Sequence, residues 1–583
     1  MTPFRVERLR FDADAVNDWG RLSAHHTNWP VVYVIDSAEQ RTAAAVYVGE
    51  TVNAAGRMIQ HLGNPQKRDA GLHSVRVVID DTFNKSVCLD LESHLIRWLA
   101  GDGQLTVLNG NEGITDADYY DREIYRESFR DIFEQLRAEG LFNRSIPEIE
   151  NGDLFKLSPF KSLTQDQAIA CEDILEGLFS DLAAGIHSTS AIQGAPGTGK
   201  TIIAIILMKL LADIRDYDET DDLEHDSVFS ELFVTDTRDL LRDFRMALVV
   251  PQQSLRNSIR KVFKKTPKLN ESMVLSPFDV GKSEASFDLL IVDEAHRLNQ
   301  RANQSSGVLN RDFIRINERL FATDDTTKTQ LDWITAQSAH QILLIDGEQS
   351  VRPADLPAET IRQVLRQATA THRHYRLTTQ MRVKAGADYV DFIRRLLRGD
   401  AEPGQRPDFG EYDLRYFDDL AAMRRAIHQR DHEHGLARLV AGYAWQWVSR
   451  KNPDAFDIEF DGVSLRWNST DKDWINSPGS LDEVGSIHTV QGYDLNYAGV
   501  IVGPEFGYDP ATRRFFIDRT HYFDAKGKEN SKKYGRVYTD DDLLRYIQNI
   551  YGVLLTRGML GTYVFVCDPG LRELMRRTLA ALR

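Results

Sequence analysis

The stretch that decides the fold of this chain reads Gly194-Ala195-Pro196-Gly197-Thr198-Gly199-Lys200-Thr201. It fits the pattern G-x-x-x-x-G-K-[ST] and lies between the strand-like residues 190–193 and the apolar run 202–212. Glycines in such a loop let backbone N–H groups approach phosphate oxygens, and the N-terminus of the next helix adds positive potential. The stretch therefore predicts a nucleotide phosphate site, with Gly194, Gly197 and Gly199 in the loop, Lys200 on the β- and γ-phosphates and Thr201 as a ligand of Mg²⁺.

An acidic pair follows another buried-strand pattern. The apolar residues 287–292 lead into Asp293-Glu294-Ala295-His296. Next to a phosphate loop, one carboxylate at a strand end can hold Mg²⁺ while its neighbour activates water. We assign Asp293 to the metal and Glu294 to the water, with ATP as the expected nucleotide.

Strand-like apolar runs alternate with helical runs nearly throughout the chain, which predicts the α/β class. Buried-strand patterns lie at residues 190–193, 246–250, 287–292 and 341–345, and a second set lies at 437–441, 499–502 and 562–566. Parallel-sheet enzymes place their binding residues at the carboxyl ends of such strands. We therefore predict two doubly wound domains, at residues 161–368 and 369–583.

A smaller α/β unit precedes them, and we place it at residues 1–121. Its predicted elements are an antiparallel strand pair at 31–35 and 44–48, a helix at 54–62, a strand at 75–79 and a helix at 87–100. A charged helix at 122–139 is followed by residues 140–161, which contain Pro and Gly and show little periodicity. Residues 122–160 are therefore predicted to be a helical connector and linker.

Composition sets the broad class. The 583 residues are 42% hydrophobic and 27% charged, and three or four folding units are expected at this length. The chain has 3 cysteines, which excludes a disulfide framework and predicts a reducing, cytoplasmic location. We expect neither a signal peptide nor a membrane span. The net charge of −16 counts only weakly against nucleic-acid binding, because phosphate contacts need just a local basic track.

Further motifs follow in a fixed order. They are Leu163-Thr164-Gln165-Asp166-Gln167-Ala168 and the segments 249–255, 344–349, 377–382, 486–494 and 553–558. With the phosphate loop and the acidic pair, this order resembles superfamily 1 helicases, and most of all the Schlafen-like group of DNA/RNA helicases, from about Lys161 onward. The resemblance implies two RecA-like motor domains that act on nucleic acid.

The resemblance also implies roles for individual residues. Gln167 would read the adenine, Gln349 would sense the γ-phosphate, and Arg382 and Arg557 would reach that phosphate from the second domain. The segment 486–494 would add three nucleotide-binding residues, Gln491, Gly492 and Asp494. Asp494 departs from the Glu common in the wider superfamily, and no large inserted domain is evident, so translocation is a safer expectation than strand separation.

Two other features of the motor region have competing interpretations. A basic run after residue 255 contacts a nucleic-acid backbone or is an ordinary basic surface helix; it comprises Arg256, Arg260, Lys261, Lys264, Lys265 and Lys268. Four tryptophans stack on bases or belong to the core: Trp445, Trp447, Trp467 and Trp474.

The N-terminal unit has its own set of spaced polar residues. Val31-Val32-Tyr33 and Tyr47-Val48-Gly49 are followed by Arg57, His61, Glu92 and Asn109. This pattern resembles the GIY-YIG nucleases over residues 31–113, although the first triplet keeps only its tyrosine. The resemblance implies a metal-dependent endonuclease.

The chemistry of these side chains agrees with that implication. Glu92 can hold a divalent metal against a phosphate, and Arg57 can stabilise the charge that develops on phosphorus. Tyr33, Tyr47 or His61 can orient or deprotonate water. The competing interpretation is a nuclease-like fold that is retained only for binding.

Together these patterns predict an ATP-dependent nucleic-acid translocase or helicase coupled to an endonuclease. We expect DNA rather than RNA as the partner, no membrane association, and a setting in defence against foreign DNA, with DNA repair as a second setting. The alternative function is an NTP-dependent switch that binds nucleic acid through a non-cleaving N-terminal domain.

Overall fold

The computed structural model describes residues 4–37, 44–110, 118–217, 229–301, 307–346, 354–380, 383, 385–401, 407–470, 474–490, 494–524 and 537–579. The chain divides into two compact units. One comprises Met1–Ile186, Ile202–Phe244 and Ser258–Val274, and the other comprises His187–Thr201, Arg245–Asn257 and Leu275–Arg583. The domain boundaries predicted from the sequence stay predictions.

The N-terminal part contains a five-stranded sheet of order β1-β4-β2-β3-β5. Its strands are β1 (Arg5–Arg10), β2 (Val31–Asp36), β3 (Ala45–Thr51), β4 (Ser74–Ile79) and β5 (Thr106–Val107). Its helices are α1 (Ala13–Gly20), α2 (Ala54–Gly63), α3 (Pro65–Asp69) and α4 (Lys85–Asp102). The predicted strands and helices are confirmed, including the antiparallel pairing of β2 with β3, whereas β1 and α1 were not predicted.

The two faces of this sheet pack against different helices, because side chains alternate along a strand. On one face, Tyr33 and Ile35 of β2 share a core with Met58 of α2. On the other face, Val32 and Val34 share a core with residues of α4. The tyrosine of β2 therefore lies on the α2 face of the sheet.

Residues 122–160 fold against the same sheet. They form α5 (Arg122–Ala138), α6 (Ile146–Glu150) and α7 (Asp153–Lys156). The predicted charged helix is thus present, but the stretch interpreted as a linker contributes Leu141, Ile149 and Phe160 to the core on the α4 face. The apolar residues of this stretch are irregularly spaced because it folds into short helices joined by turns. It is packed against the sheet and is not an extended linker.

The phosphate-loop region is built on a six-stranded sheet of order β11-β6-β10-β9-β7-β8. The strands are β6 (Ser188–Gly194), β7 (Met246–Val249), β8 (Val274–Leu275), β9 (Phe287–Val292), β10 (Ser338–Ile345) and β11 (His374–Leu377). The pairings of β10 with β6 and β9, of β11 with β6 and of β7 with β9 are parallel. The helices are α8 (Gln165–Ala184), α9 (Lys200–Arg215), α10 (Thr235–Leu240), α11 (Gln253–Lys265), α12 (Pro277–Lys282), α13 (Gly307–Phe321), α14 (Gln330–Gln337) and α15 (Ala358–Ala370).

The C-terminal region contains a seven-stranded sheet of order β12-β20-β17-β13-β16-β15-β14. The strands are β12 (Asp413–Tyr416), β13 (Ala437–Ala441), β14 (Ile458–Phe460), β15 (Val463–Trp467), β16 (Glu483–Ser486), β17 (Leu495–Val502) and β20 (Gly558–Val566), and β18 (Phe506–Asp509) pairs with β19 (Arg514–Ile517) as a separate hairpin. The helices are α16 (Gly386–Arg398), α17 (Leu420–His434), α18 (Ile487–Val490), α19 (Asp540–Leu555) and α20 (Pro569–Leu579).

The large sheet of the C-terminal region is parallel apart from the pairing of β14 with β15. The predicted α/β class with two parallel-sheet domains is therefore confirmed. Trp467 and Trp474 are each 1% exposed and belong to the core, while Trp445 and Trp447 pack against it. Base stacking by Trp467 and Trp474 is excluded by their burial. Among the helices described here, none is long and apolar enough to cross a bilayer.

Candidate functional site

The phosphate loop has the backbone that its glycines permit. Gly197 and Gly199 have φ of 84° and 79°, in the region that favours glycine. A Cβ at Gly194 would lie 2.4 Å from Oγ1 of Thr198. The hydroxyl of Thr198 in turn donates a 2.9 Å hydrogen bond to the carbonyl of Ala195. The loop is thus closed on itself, and larger side chains at these positions would open it.

Lys200 is buried in this loop, with 6% of its surface exposed. Its ammonium group donates hydrogen bonds of 2.7 Å to the carbonyl of Gly194 and 2.9 Å to that of Ala195. It also lies 3.9 Å from Oδ2 of Asp346, at the end of β10. The charge of Lys200 is therefore held inside the loop, beside two of its carbonyl groups.

Thr201 connects the phosphate loop to the end of β9. Its hydroxyl donates a 2.8 Å hydrogen bond to Oδ2 of Asp293, whose side chain is 0% exposed. Burial and the neighbouring Glu294 raise the pKa of the Asp293 carboxyl, while Thr201 and Lys200 act in the opposite direction. A buried carboxylate beside a hydroxyl is a hard-oxygen donor set that suits Mg²⁺, so these two side chains fit the expected ion.

Glu294 is held in position by the two residues that follow Ala295. It adopts a left-handed backbone conformation with φ of 50°. Its Oε2 accepts a 2.8 Å hydrogen bond from Nε of Arg297 and lies 3.1 Å from Nε2 of His296. Burial opposes ionisation, but Arg297, His296 and Lys200 together keep the pKa of Glu294 well below its usual value. The carboxylate is therefore ionised and fixed in orientation.

His296 has a defined tautomer in this arrangement. The backbone N–H of Asp346 donates a 3.2 Å hydrogen bond to Nδ1 of His296, which must accept it. A neutral imidazole then carries its proton on Nε2, the nitrogen that faces Glu294. Neither His296 nor Arg297 was singled out as a site residue from the sequence, although both lie within four residues of Asp293.

Residues after β11 also reach the loop. Nε2 of Gln380 donates a 2.6 Å hydrogen bond to the carbonyl of Pro196. Gln380 was quoted within a motif but was given no role in the sequence analysis. Four predicted site residues, Gln349, Arg382, Gln491 and Gly492, lie outside the described residues.

The other predicted nucleotide-binding residues lie at element ends. Oε1 of Gln167 accepts a 3.0 Å hydrogen bond from the backbone N–H of Thr164 and so caps α8. Asp494 is half-buried immediately before β17, and Arg557 is 4% exposed between α19 and β20. Their roles toward a nucleotide stay predictions.

The first two arginines of the basic run are half-buried and donate hydrogen bonds to backbone carbonyls. Nη1 of Arg256 donates a 2.7 Å hydrogen bond to the carbonyl of Val250. Arg260 donates two hydrogen bonds, of 3.0 and 2.8 Å, to the carbonyl of Val274. These guanidinium groups bind carbonyls at strand ends, and contact of the basic run with nucleic acid stays a prediction.

In the N-terminal sheet, the structure brings Tyr33, Tyr47 and His61 together. Oη of Tyr33 lies 2.6 Å from Nε2 of His61. The ring centroid of Tyr47 is 5.0 Å from that of His61 and 6.4 Å from that of Tyr33. Gly49 pairs with Tyr33 across the strands, and a Cβ there would lie 2.3 Å from Oη of Tyr33. Glycine at position 49 therefore makes room for the Tyr33 hydroxyl.

Burial and the positive charges around His61 keep it neutral. It is 0% exposed, and burial, Lys67 and Arg57 lower its pKa to about 2. Arg57 lies one turn earlier on α2 and donates a 3.3 Å hydrogen bond to Gln60. The contact with Lys67 was not foreseen from the sequence.

Glu92 lies on α4 and is 6% exposed. Burial, followed by the charges of Glu50 and Glu92, raises the pKa of the Cys88 thiol, so both carboxylates lie near Cys88. Asn109 exchanges hydrogen bonds of 3.1 and 2.8 Å with the backbone N–H and carbonyl of Val48, and so holds the chain after β5 against β3. Among the described residues, no three His, Cys, Asp or Glu side chains form a group placed to hold a metal.

The phosphate loop, the acidic pair on another parallel strand of the same sheet and a second parallel sheet define a helicase-like nucleic-acid-binding NTPase fold. Residues 187–568, well over half of the chain, match the family model described as Schlafen group 3, DNA/RNA helicase domain. The chain belongs to this family.

A curated relative and several solved structures are similar to this chain. Uncharacterized protein YPL245W of Saccharomyces cerevisiae is 26% identical over 416 residues, which cover 66% of this chain and 83% of that protein. The arterivirus nonstructural protein 10 helicase in complex with DNA is 11% identical with a TM-score of 0.27, and the match covers 69% of this chain and 64% of that one.

Two further structures are similarly distant. The DEAD-box helicase Mss116 bound to ssRNA and UDP-BeF is 10% identical with a TM-score of 0.30, covering 70% of this chain and 73% of that one. The Pif1 helicase from Bacteroides in complex with ADP-AlF3 and ssDNA is 8% identical with a TM-score of 0.24, covering 67% and 91%. TM-scores this low do not bear on function.

Proposed function

We propose that this protein is an ATP-dependent nucleic-acid translocase coupled to a metal-dependent endonuclease. The observation that carries the motor half is the 2.8 Å hydrogen bond from Thr201 to Asp293, with Lys200 in the loop beside them. A bound Mg²⁺ held by Thr201 and Asp293 would neutralise phosphate charge. Glu294 supplies the ionised carboxylate that orients the attacking water.

Lys200 exchanges partners in this scheme. Its ammonium group now donates to the carbonyls of Gly194 and Ala195. Phosphate oxygens carry more negative charge than carbonyls, so a bound nucleotide draws the ammonium toward its phosphates. His296 and Arg297 keep Glu294 from turning away while this happens, because both contact its Oε2.

The endonuclease half is favoured by the cluster of Tyr33, Tyr47 and His61 on one face of the N-terminal sheet, since the GIY-YIG resemblance names all three residues. Arg57, on the same helix as His61, supplies positive charge that stabilises the transition state at phosphorus. Glu92 is the proposed metal ligand. DNA is the proposed substrate in preference to RNA, and defence against foreign DNA in the cytoplasm is the proposed setting.

The test is a cleavage and hydrolysis assay on the full chain, with labelled single- and double-stranded DNA and RNA, Mg²⁺, and ATP present or absent. We expect Lys200→Ala to abolish nucleic-acid-stimulated ATP hydrolysis, and Lys451→Ala, which removes an exposed lysine, to leave it unchanged. Full turnover by Lys200→Ala would sink the motor assignment.

The nuclease half is tested in the same assay with Glu92→Gln. We expect cutting to be lost and ATP hydrolysis to be retained. Cutting that survives this change would defeat the role of Glu92. Hydrolysis stimulated by nucleic acid without any cutting by the wild type would favour the alternative, an NTP-dependent switch whose N-terminal domain only recognises nucleic acid.

A further inference from the structure

A buried lysine contacts the cluster formed by Tyr33, Tyr47 and His61. Lys67 lies on the short helix α3 and is 6% exposed. Its Nζ is 2.6 Å from Nδ1 of His61 and 3.6 Å from the ring centroid of Tyr47. Asn64 lies in the turn between α2 and α3, and its side chain accepts a 3.2 Å hydrogen bond from the backbone N–H of Lys67. This bond fixes the backbone position from which the Lys67 side chain reaches the cluster.

The proton positions in this cluster follow from the chemistry of its members. An ammonium group only donates, so Nδ1 of His61 must accept from Lys67. His61 is neutral, which leaves its one ring proton on Nε2. Nε2 therefore donates to Oη of Tyr33, at 2.6 Å. A chain of donors runs from Lys67 through His61 to Tyr33.

These two hydrogen bonds distinguish His61 and Tyr33 from Tyr47, the third side chain that could exchange a proton with water. Both nitrogens of His61 are engaged, and His61 and Tyr33 are each 0% exposed. Tyr47 is half-buried, so it is the most exposed of these three side chains. A cation against its ring also favours negative charge on its oxygen.

We infer that Lys67 is a positioning residue of this site: it holds His61 as the Nε2–H tautomer, with His61 and Tyr33 both buried and hydrogen-bonded. Tyr47 then loses its phenol proton to solvent, and its phenolate accepts a proton from the water that attacks phosphorus. This rests on the proposed endonuclease for its role in cleavage, but not for the state of His61. The groups that face His61 are Lys67 on α3, Arg57 on α2, Tyr33 on β2 and Tyr47 on β3.

The first test reads the state of His61 directly and needs no activity. The full chain is labelled with ¹⁵N-histidine, and His61→Asn assigns the His61 signals. In the wild type we expect a non-protonated Nδ1 and a protonated Nε2 from pH 5 to pH 8, that is, well above the pKa of about 2. A proton on Nδ1 would overturn the inference.

The variants then test the cause. Lys67→Met removes the donor to Nδ1, so Tyr33 can donate to Nε2 and we expect the proton to move to Nδ1. Lys67→Arg keeps a buried donor and should keep the wild-type tautomer, which separates loss of the hydrogen bond from misfolding. Arg68→Met removes the adjacent exposed charge and is the matched control. An unchanged tautomer in Lys67→Met would overturn the inference.

The second test is the pH profile of cleavage. Lys67→Met should cut about 10- to 100-fold more slowly at pH 7, and its profile should move about one unit to higher pH, because Tyr47 has lost its cation. An unshifted profile would overturn the role assigned to Tyr47. If the wild type cuts no substrate, the endonuclease proposal fails, and the spectra of His61 still decide whether Lys67 sets its tautomer.

Discussion

The hydroxyl of Thr201 donates a hydrogen bond to Oδ2 of Asp293 at 2.8 Å and so joins the residue after the phosphate-loop lysine to the end of strand β9. The two residues are 92 positions apart in the chain. Parallel strands bring them together, because β6 and β9 both pair with β10 and point the same way. The oxygens of both side chains face one place, where a hard cation is expected.

Replacing Thr201 tests this relationship. Thr201→Val keeps the shape of the side chain and removes its oxygen, so we expect nucleic-acid-stimulated ATP hydrolysis to fall about 100-fold or more. Thr201→Ser keeps the oxygen and should stay within about a few-fold of the wild type. Phosphate release measured across Mg²⁺ concentrations checks both variants. Equal rates for Val and Ser would show that the hydroxyl is not a ligand.

Gly49→Ala should damage the N-terminal cluster by steric contact. The new Cβ would lie 2.3 Å from Oη of Tyr33, which must move away from His61. We expect a loss of about 1–3 kcal/mol in local stability, measured by hydrogen exchange of β2 peptides. Gly63→Ala is the matched control, since a Cβ there meets nothing within 4 Å. Equal protection in both variants would contradict the packing described here.

Glu505 makes the stability of the C-terminal region depend on pH. Burial raises its pKa to about 7, although Tyr551 donates a 2.5 Å hydrogen bond to its Oε1. The folded pKa lies above the usual 4.5, so the folded state holds a proton that the unfolded state has lost. This contribution to stability is complete below about pH 4.5 and declines as the pH rises to about 7.

Glu505→Gln removes the titrating group and keeps an oxygen for Tyr551. At pH 8 we expect the variant to be more stable than the wild type by about 2–3 kcal/mol, with no such gain at pH 4.5. Hydrogen exchange of peptides from β17 at the two pH values measures this difference. A gain that is the same at both values would mean that Glu505 does not titrate in this range.

Local signals in the sequence were enough for the phosphate loop, the acidic pair and most strands. In these cases the residues that act together are adjacent, as in Asp293 and Glu294, or a strand is apolar along its whole length. β1 was missed because charged residues outnumber apolar ones in Arg5–Arg10, which lies at a sheet edge, where charge is tolerated.

Other parts of the site depended on packing that spacing does not encode. Arg256 and Arg260 are one turn apart and look like a basic face, yet each turns back to a strand-end carbonyl. Lys67 reaches His61 only because the turn at Asn64 places α3 beneath it. In both cases the partner of the charge is a group that no sequence pattern marks.

Arg76 connects helix α5 to two strands of the N-terminal sheet. This arginine of β4 is 3% exposed and pairs with Asp36 of β2 and, at 3.1 Å, with Glu139 at the end of α5. Pulling α5 away would remove one of the two counter-charges of a buried guanidinium, which is unfavourable because a buried charge is costly without its partners. A displacement of α5 would therefore be passed through Glu139, Arg76 and Asp36 to β2, the strand that carries Tyr33.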